Sequence, residues 1–362
     1  MKYRVAFLSV VPSPYQRDIF VAMSRREDID LRVDYLEAAA PDSPWPEKEL
    51  PSYSRVLRGF WISVGSARCH INTPLPEYHD RDLVVLNTMM SFTAQYLMRF
   101  RLRHRPWLFW GERLTPRTPG WRTTLHNRLT APLHNAAGIV GIGSLAQHQY
   151  AARFPEPKQF CIPYHCDLAA FSAAPRPARD PGERVYLFCG QMIARKGLDH
   201  LLAAFSALVG RHPRVRLLLV GREAELPRLL ASLPEGVRAR IEYAGFQPPE
   251  ELPRHFARAD VFILSSRYDG WGVVVNQAIG AGLPVICSDA AGAGHDLVEE
   301  GVNGMLFPAG DVEALTRAME RFADDPGLAA QWGAASRARA AAWSPEAGAA
   351  KWAGVFKEVL GR

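Results

Sequence analysis

The sequence predicts an α/β protein of two doubly wound domains, each built on a parallel sheet. Short apolar runs alternate with helical segments along most of the chain, which is typical of parallel strands covered by helices. The chain has 362 residues, enough for two domains of ordinary size. One stretch rich in proline and small polar residues, Ser172–Glu183, interrupts the alternation and has the composition of a linker.

These observations place a first domain at residues 1–172, a second at 185–342 and a final amphipathic helix at 343–362. The N-terminal run Tyr3–Val11 is apolar and β-rich. We interpret it as the first strand, not as a signal peptide, because no small-residue cleavage site follows it. Further strands are predicted within residues 31–38, 82–88, 106–112, 136–144, 185–190, 215–221, 240–246, 260–266 and 284–289.

The composition is that of an ordinary globular protein, with 48% hydrophobic and 22% charged residues. No apolar run reaches the roughly 18 residues that a membrane-spanning helix needs. The five cysteines include no C-x-x-C pair, which favours a reducing cytoplasm over a disulfide scaffold.

The net charge of +6 arises entirely in the first half of the chain. Residues 1–175 hold 21 Lys and Arg against 15 Asp and Glu, whereas residues 176–362 hold 22 of each. The densest run contains Arg99, Arg101, Arg103 and Arg105. Such a run is usually a solvated helix face; the alternatives are contact with an anionic membrane or an acidic acceptor. Nucleic acid is a weaker alternative, because no recognition motif accompanies the run.

The most informative stretch is Ala259–Asp311, which predicts a strand, a glycine-bearing turn, a helix and a second strand. Gly270 and Gly272 allow the backbone to approach a ligand closely. The helix start that follows offers free N–H groups suited to a phosphate. The alternative is an ordinary βαβ connection that binds nothing.

This stretch resembles the donor-binding segment of the retaining glycosyltransferases of family 4, roughly S-x-x-E-G-F-G-x-x-x-x-E-A. Asp269 and Gln277 stand where that family has two glutamates. The downstream VNGMLFPAGD is also similar to the family pattern. The resemblance implies a GT-B fold: two Rossmann-like domains facing across a cleft, with the last helix crossing back to the first domain.

A second motif, GQMIARKG, resembles the family pattern G-R-L-x-x-x-K-G, whose arginine and lysine hold the donor diphosphate. Lys196 keeps the cation, whereas Gln191 replaces the arginine. Arg195 is a candidate to compensate, although the family geometry implies that it points elsewhere. The implied donor-binding residues are Gln191, Arg195, Lys196, Phe246, Asp269, Gly270, Trp271, Gly272, Val273 and Gln277.

The loss of one arginine and one glutamate leaves the charge of this site unchanged. We therefore hypothesise that the changes at Gln191 and Gln277 offset each other. A glutamine retains hydrogen-bonding capacity toward a ribose without the charge.

Two features of the first half complete the predicted site. The loop PSPYQRDIF resembles the P-x-P-Y-R loop of some family members, which places Pro14, Tyr15, Gln16 and Arg17 on the acceptor side. The alternative is a proline-stiffened turn with Tyr15 packed on the domain. Glu112 ends a predicted strand, where α/β sheets collect ligands, and joins Lys196 and Asp269 as a catalytic candidate. Its alternative role is a surface carboxylate paired with Arg113 or Arg117.

A third motif, QFCIPYHCDLAAF, is similar to the family's P-N-G-V-D-x-x-x-F. Asp167 and Phe171 match that pattern, whereas Tyr164, His165 and Cys166 depart from it.

Taken together, the resemblance implies transfer of a hexose from a nucleotide diphosphate sugar with retention of configuration. A UDP-sugar is favoured, no metal or other cofactor is implied, and the acceptor is a saccharide or a lipid-linked saccharide. The expected location is the cytoplasm, at the inner face of the membrane if the arginine run binds it. The alternatives are a catalytically silent nucleotide-sugar-binding subunit and a glycosyltransferase for a small-molecule acceptor.

Overall fold

The computed structural model describes residues 2–39, 50–64, 67–115, 120–178, 180 and 182–362. The chain forms two compact units, Met1–Cys166 with Pro345–Arg362 and Asp167–Ser344. The division at Cys166 precedes the predicted linker because the short helix at Ala169–Ala173 packs within the second unit, where Phe171 contacts Phe256 edge to face.

The first unit contains one parallel sheet and a separate hairpin. Its helices and strands in chain order are β1 (Tyr3–Ser9), α1 (Pro14–Ser24), β2 (Ile29–Tyr35), β3 (Ser54–Val56), β4 (Gly59–Val64), β5 (Ala67–Asn72), β6 (Leu83–Leu86), α2 (Phe92–Tyr96), β7 (Trp107–Gly111), α3 (Trp121–Thr130), β8 (Gly138–Gly141), α4 (Ser144–Arg153) and β9 (Lys158–Cys161).

The sheet of the first unit is doubly wound, in the order β3-β2-β1-β6-β7-β8-β9. The chain first adds strands on one side of β1 and then resumes on its other side with β6. The strand ends of β1 and β6 therefore flank a switch point, where open α/β sheets bind ligands. The predicted strands of this half are confirmed, whereas the hairpin of β4 and β5 and the two edge strands, β3 and β9, were not predicted.

The arginine run suggested a solvated helix face, but residues 91–104 do not form one continuous helix. Helix α2 ends at Tyr96 and continues as a π-helical turn over Leu97–Arg101. Leu97 and Met98 are buried in this turn, while Phe100 is exposed.

The second unit contains the second parallel sheet, in the order β12-β11-β10-β13-β14-β15. Its switch point lies between β10 and β13. Its helices and strands are α5 (Ala169–Ala173), β10 (Arg184–Cys189), α6 (Leu198–Val209), β11 (Val215–Val220), α7 (Leu226–Ala231), α8 (Glu235–Arg238), β12 (Ile241–Tyr243), α9 (Leu252–Ala257), β13 (Val261–Leu264), α10 (Val274–Gly280), β14 (Val285–Ser288), α11 (Gly292–Leu297), β15 (Gly304–Phe307), α12 (Val312–Asp324) and α13 (Leu328–Ala340).

The last helix, α14 (Pro345–Leu360), belongs to the first unit, as the resemblance implied. Trp352 is fully buried there, with its ring 5.1 Å from that of Phe7 and 5.4 Å from that of Trp110. Both contacts are edge to face, an arrangement that adds to the stabilisation from burial. Throughout the described residues, no helix is both long and apolar enough to cross a bilayer.

Candidate functional site

The candidate site of the second unit lies where two neighbouring strands, β10 and β13, end at the switch point. The segment after β10 leads through Gly190 and Gln191 to a 3-10 turn, Ala194–Lys196. The segment after β13 leads through Ser265 to Asp269. The fold therefore brings together two motifs that lie about seventy residues apart in the sequence.

An ion pair joins these two segments. Lys196 Nζ lies 2.5 Å from Asp269 Oδ2, and the side chains are only 13% and 11% exposed. Ser266 Oγ donates to the same carboxylate oxygen at 3.4 Å. A lysine held in so sheltered a position provides a fixed positive charge at the switch point, where a phosphate group would be stabilised.

Arg195 extends this arrangement, contrary to the family geometry, which directs its side chain away. Its Nη1 lies 3.6 Å from Asp269 Oδ1 and donates to the Tyr268 carbonyl oxygen at 3.1 Å. The side chain is exposed. Asp269 therefore has a cation on each carboxylate oxygen, and the three charges sum to +1.

Gly197 allows the lysine turn to lie directly against the end of β13. Its φ is +64°, and a Cβ at this position would lie 2.1 Å from the Ser265 carbonyl oxygen. Ser265 Oγ in turn donates to the Lys196 carbonyl oxygen at 3.1 Å. Only glycine combines this left-handed conformation with such a close approach.

Gly272 has a φ of +96° and turns the chain between Asp269 and helix α10. This helix has only seven residues, so its dipole stabilises a phosphate less than that of a longer helix would. The fixed cations, more than the helix start, therefore define this site.

The remaining predicted donor residues differ in what they offer. The ring of Trp271 is buried and its Nε1 donates to Asn276 Oδ1 at 2.9 Å, so this side chain serves the core and only its main chain remains for a ligand. Gln277 has its Oε1 buried without a hydrogen-bond partner among the described residues. Gln191, Gly270 and Val273 lie along the two segments, with Gly270 buried and the other two half-buried.

Phe246 follows strand β12 and is exposed. The guanidinium of Arg222, after the neighbouring strand β11, lies 5.4 Å from the centre of its ring. This cation–π pair presents a flat aromatic surface and a second cation at the strand ends. The sequence motifs did not identify Arg222.

Two buried cysteines, Cys189 and Cys287, lie close to the charged pair of the site. Burial raises the pKa of the Cys189 thiol to about 12, although Lys196 opposes the shift. Burial also raises the pKa of Cys287, with the charge of Asp269 adding to the effect. Both residues therefore remain neutral thiols at physiological pH.

A second cluster forms in the first unit around Glu112, which follows strand β7. Tyr164 donates its hydroxyl to Glu112 Oε1 at 3.2 Å, and its ring lies 5.1 Å from that of Tyr15. Burial raises the pKa of Tyr164 well above its usual range, and the Glu112 charge adds to the rise. Tyr164 was recognised only as a departure from a family motif; here it joins two of the predicted residues.

The same cluster includes the loop before helix α1. Pro14 is the first residue of that helix, and Arg17 is exposed on it. Gln16 Nε2 donates to Asn87 Oδ1 at 2.8 Å, and Asn87 Nδ2 donates to the Trp110 carbonyl oxygen at 2.8 Å. Asn87 was not identified from the sequence. Its position directly after strand β6 is a signal that could have identified it, because ligands collect at the carboxyl ends of parallel strands.

Comparison with known proteins identifies a family that the second unit matches. Residues 173–339 match the family described as glycosyl transferases group 1. The second unit carries a glycosyl transferases group 1 domain. The ion pair, both switch-point segments and the Phe246–Arg222 pair all lie within this group 1 domain. The predicted resemblance is thereby confirmed at the level of group 1.

A curated relative is the GDP-mannose-dependent α-(1-6)-phosphatidylinositol monomannoside mannosyltransferase of Mycolicibacterium smegmatis, with 33% identity over 165 residues. The match covers 43% of this chain and 43% of the relative, so the chain aligns with less than half of that protein.

Solved structures match over nearly the whole chain. The sucrose-phosphate synthase of Thermosynechococcus elongatus has a TM-score of 0.75 at 21% identity, covering 99% of this chain and 100% of that one. The HepE protein of Anabaena, solved in complex with UDP, has a TM-score of 0.74 at 19% identity, with the same coverage. At these identities the likeness establishes the fold, and the predicted GT-B class is confirmed.

Proposed function

We propose that this protein is a retaining glycosyltransferase of family 4, which moves a hexose from a nucleotide diphosphate sugar to a saccharide or lipid-linked saccharide. The observation that carries the proposal is the sheltered Lys196–Asp269 pair, with Arg195 beside it, at the switch point of the group 1 domain. The match to a curated mannosyltransferase supports the same class of reaction.

Negative charge grows on the β-phosphate as the glycosidic bond to the donor sugar breaks. Lys196 stabilises that charge, which is electrostatic catalysis by a preorganised donor. In the absence of donor the lysine is paired with Asp269, so the diphosphate must share or displace that contact. Arg195 keeps the second carboxylate oxygen occupied during this exchange.

The proposed chemistry needs no metal, because the lysine supplies the charge that a cation would otherwise provide. The acceptor hydroxyl attacks from the side of the leaving group, and the departing phosphate takes its proton. A protein base is then not required. Glu112 is proposed to orient the acceptor, supported by the hydrogen bond from Tyr164 that holds its carboxylate.

A uridine donor is our first choice for the nucleotide. The HepE structure contains UDP, whereas the mycobacterial relative is named as GDP-mannose-dependent, so both bases occur among the similar proteins. Phe246 with Arg222 is proposed as the surface on which the base rests. We further propose a cytoplasmic location, where the free thiols of all five cysteines would persist.

The decisive experiment is thermal denaturation of the purified protein with a panel of nucleotide diphosphates and nucleotide sugars, with and without a chelator. A ligand that binds only the folded protein raises the melting temperature by mass action. We expect one base to give a shift that the chelator leaves unchanged and that Lys196→Ala abolishes. If no nucleotide shifts the melting temperature, the donor site is wrongly assigned.

A second candidate is a nucleotide-sugar-binding subunit without catalytic activity. It is favoured by the two glutamines in place of family charges and by the buried, unpartnered Oε1 of Gln277 in the described structure. Donor binding without hydrolysis or transfer to any acceptor of a saccharide panel would support this candidate. Release of nucleotide diphosphate from the bound donor, lost in Lys196→Ala, would exclude it. Transfer only to small-molecule acceptors would support the other alternative.

A further inference from the structure

The hairpin of the first unit presents exposed apolar side chains. Its register pairs Phe60 with Ile71 and Ile62 with Cys69, so these four side chains share one face. Phe60 is 57% exposed and Ile62 42%. The opposite face carries His70 and Asn72, which are buried. Trp61, on the same face as His70, is 42% exposed and has the Arg68 guanidinium 4.1 Å from its ring centre, so the hairpin exposes apolar side chains on both faces.

A second set of exposed apolar side chains, a row of aromatic rings, lies on the neighbouring helix. Phe92, Tyr96 and Phe100 follow one another at four-residue intervals, and all three are exposed. The rings of Tyr96 and Phe100 lie 5.2 Å apart. Thr93 ties the helix to the hairpin, because its Oγ1 accepts from the Asn72 backbone N–H at 3.0 Å. We call Phe60, Ile62, Phe92, Tyr96 and Phe100 the docking face.

The two segments that form this face carry charge of only one sign. Residues 51–76 and 83–111 contain seven arginines and no Asp, Glu or Lys. Two of these arginines are paired with carboxylates of other segments, Arg55 with Asp34 and Arg68 with Glu37, and the rest supply the positive charge of the face. Its exposed members include Arg58, just before strand β4, and Arg101 and Arg103, just after Phe100.

The other arginines of the basic run have structural roles. Arg99 donates to the Arg128 carbonyl oxygen at 2.6 Å, and Arg105 donates to the Tyr78 carbonyl oxygen at 2.8 Å. They keep their charge but hold the turn in place. The run predicted from the sequence is therefore not one uniform basic face.

We infer that the docking face is a membrane-binding surface that rests on a bilayer containing anionic lipids. Exposed aromatic and aliphatic side chains bordered by arginines are the composition of an interfacial site, with the apolar groups at the acyl boundary and the guanidiniums at the phosphates. A second copy of this chain is a poorer occupant, because a symmetric contact would bring the same positive surfaces together. The inference does not depend on the proposed catalytic function.

Co-sedimentation with vesicles tests the inference. The full-length protein is mixed with phosphatidylcholine vesicles with or without phosphatidylglycerol, at low and at high salt. We expect binding to the anionic vesicles, weakened by salt. F60S/I62S on the hairpin and, separately, F100S on the helix should each weaken binding about tenfold or more, since the apolar contact is lost. R101Q/R103Q should weaken it by a similar factor, and only on anionic vesicles.

Matched controls lie in the second unit. V302S removes another exposed apolar side chain, and R254Q/R317Q removes two exposed arginines. These controls should bind like the wild type. Circular dichroism and melting temperature establish that each variant is folded. Because the two apolar variants change different elements, the hairpin and the helix, the test still stands if one of them does not fold.

Three results would overturn the inference. The first is wild-type protein that fails to sediment with anionic vesicles. The second is equal binding by the folded docking-face variants and their controls. The third is a concentration-dependent dimer of the wild type that F60S/I62S abolishes, together with no vesicle binding, which would make the face a contact between copies of this chain.

Discussion

Because, among the described residues, Asp269 has two cationic neighbours and Lys196 only one anionic partner, substitutions of the two members of the ion pair should have unequal effects. Asp269→Asn and Lys196→Met each remove one charge and largely preserve shape. Asp269→Asn leaves two cations, Lys196 and Arg195, beside a neutral amide. Lys196→Met leaves a carboxylate that still has Arg195 at 3.6 Å and the Ser266 hydroxyl at 3.4 Å. The two substitutions are therefore unequal, although they break the same bond.

The size of the difference follows from burial. Removing one member of a fully buried ion pair costs about 3–5 kcal/mol, because the other charge is left uncompensated. The side chains of this pair are 13% and 11% exposed, so water reaches the remaining charge to some extent. We expect Asp269→Asn to lower the free energy of unfolding by about 2–3 kcal/mol. Lys196→Met should cost only about 1–2 kcal/mol, since Arg195 remains to pair the carboxylate.

The order of the two variants in UDP affinity should differ from their order in stability. UDP carries the diphosphate but no sugar, so its binding reports on the cations without any contact to the donor sugar. Lys196→Met should weaken UDP binding about 10- to 100-fold, the value of a charge-assisted hydrogen bond. Asp269→Asn should bind UDP at least as tightly as wild type, because the lysine is no longer shared.

The assays are urea denaturation followed by the fluorescence of each variant and calorimetric titration with UDP. Arg195→Gln is the matched control, because it removes a neighbouring exposed cation and leaves the buried pair intact. The reasoning is refuted if Lys196→Met is the less stable of the two variants. It is also refuted if Asp269→Asn binds UDP more weakly than the wild type does.

Three further predictions concern stability. Burial lowers the pKa of His165 to about 4, from an ordinary 6.5, so its contribution to stability is complete above pH 6.5 and is lost as the pH falls toward 4. The free energy of unfolding should fall by about 3 kcal/mol more over that range in the wild type than in His165→Gln, and equal pH profiles would contradict this. Gly197→Ala should lower the free energy of unfolding by about 2–4 kcal/mol, because its Cβ would lie 2.1 Å from the Ser265 carbonyl oxygen. Gly236→Ala is the control, since its Cβ meets no atom within 4 Å and should not destabilise the protein. Equal melting temperatures of the two variants would refute the argument. Trp352→Ala should cost about 3–5 kcal/mol, and a melting temperature like that of the wild type would show that the last helix is not part of the core.

Much of the fold could be predicted because the central strands of both sheets are buried on both faces. A run such as Val261–Leu264 is apolar throughout, and such runs recur between helices. The hairpin of β4 and β5 has no such signal. Phe60, Trp61 and Ile62 are exposed whereas His70 and Asn72 are buried, so a pattern of apolar residues interpreted as burial is misleading here.

The site could be predicted in its residue types but not in its contacts. Lys196 and Asp269 were identified from two motifs, yet nothing in either motif states that their side chains meet. That contact depends on the adjacency of strands β10 and β13, which is a property of the sheet order. Trp271 was implied as a donor-binding residue by the family motif, and the motif does not show that its ring is buried in the core with only the main chain left for a ligand.

The direction of Arg195 bears on why the chain tolerates glutamine at two charged family positions. With Gln191 and Gln277 neutral, the site would contain only Lys196 and Asp269, and the net charge would be zero. Arg195 at 3.6 Å from the carboxylate raises it to +1 before any ligand binds. A diphosphate is therefore attracted to the site although the family arginine is missing. A glutamate at position 277 would bring the net charge of the site back to zero. The replacement of that acid by Gln277 therefore offsets the replacement of the family arginine by Gln191, because one change removes a negative charge and the other a positive charge.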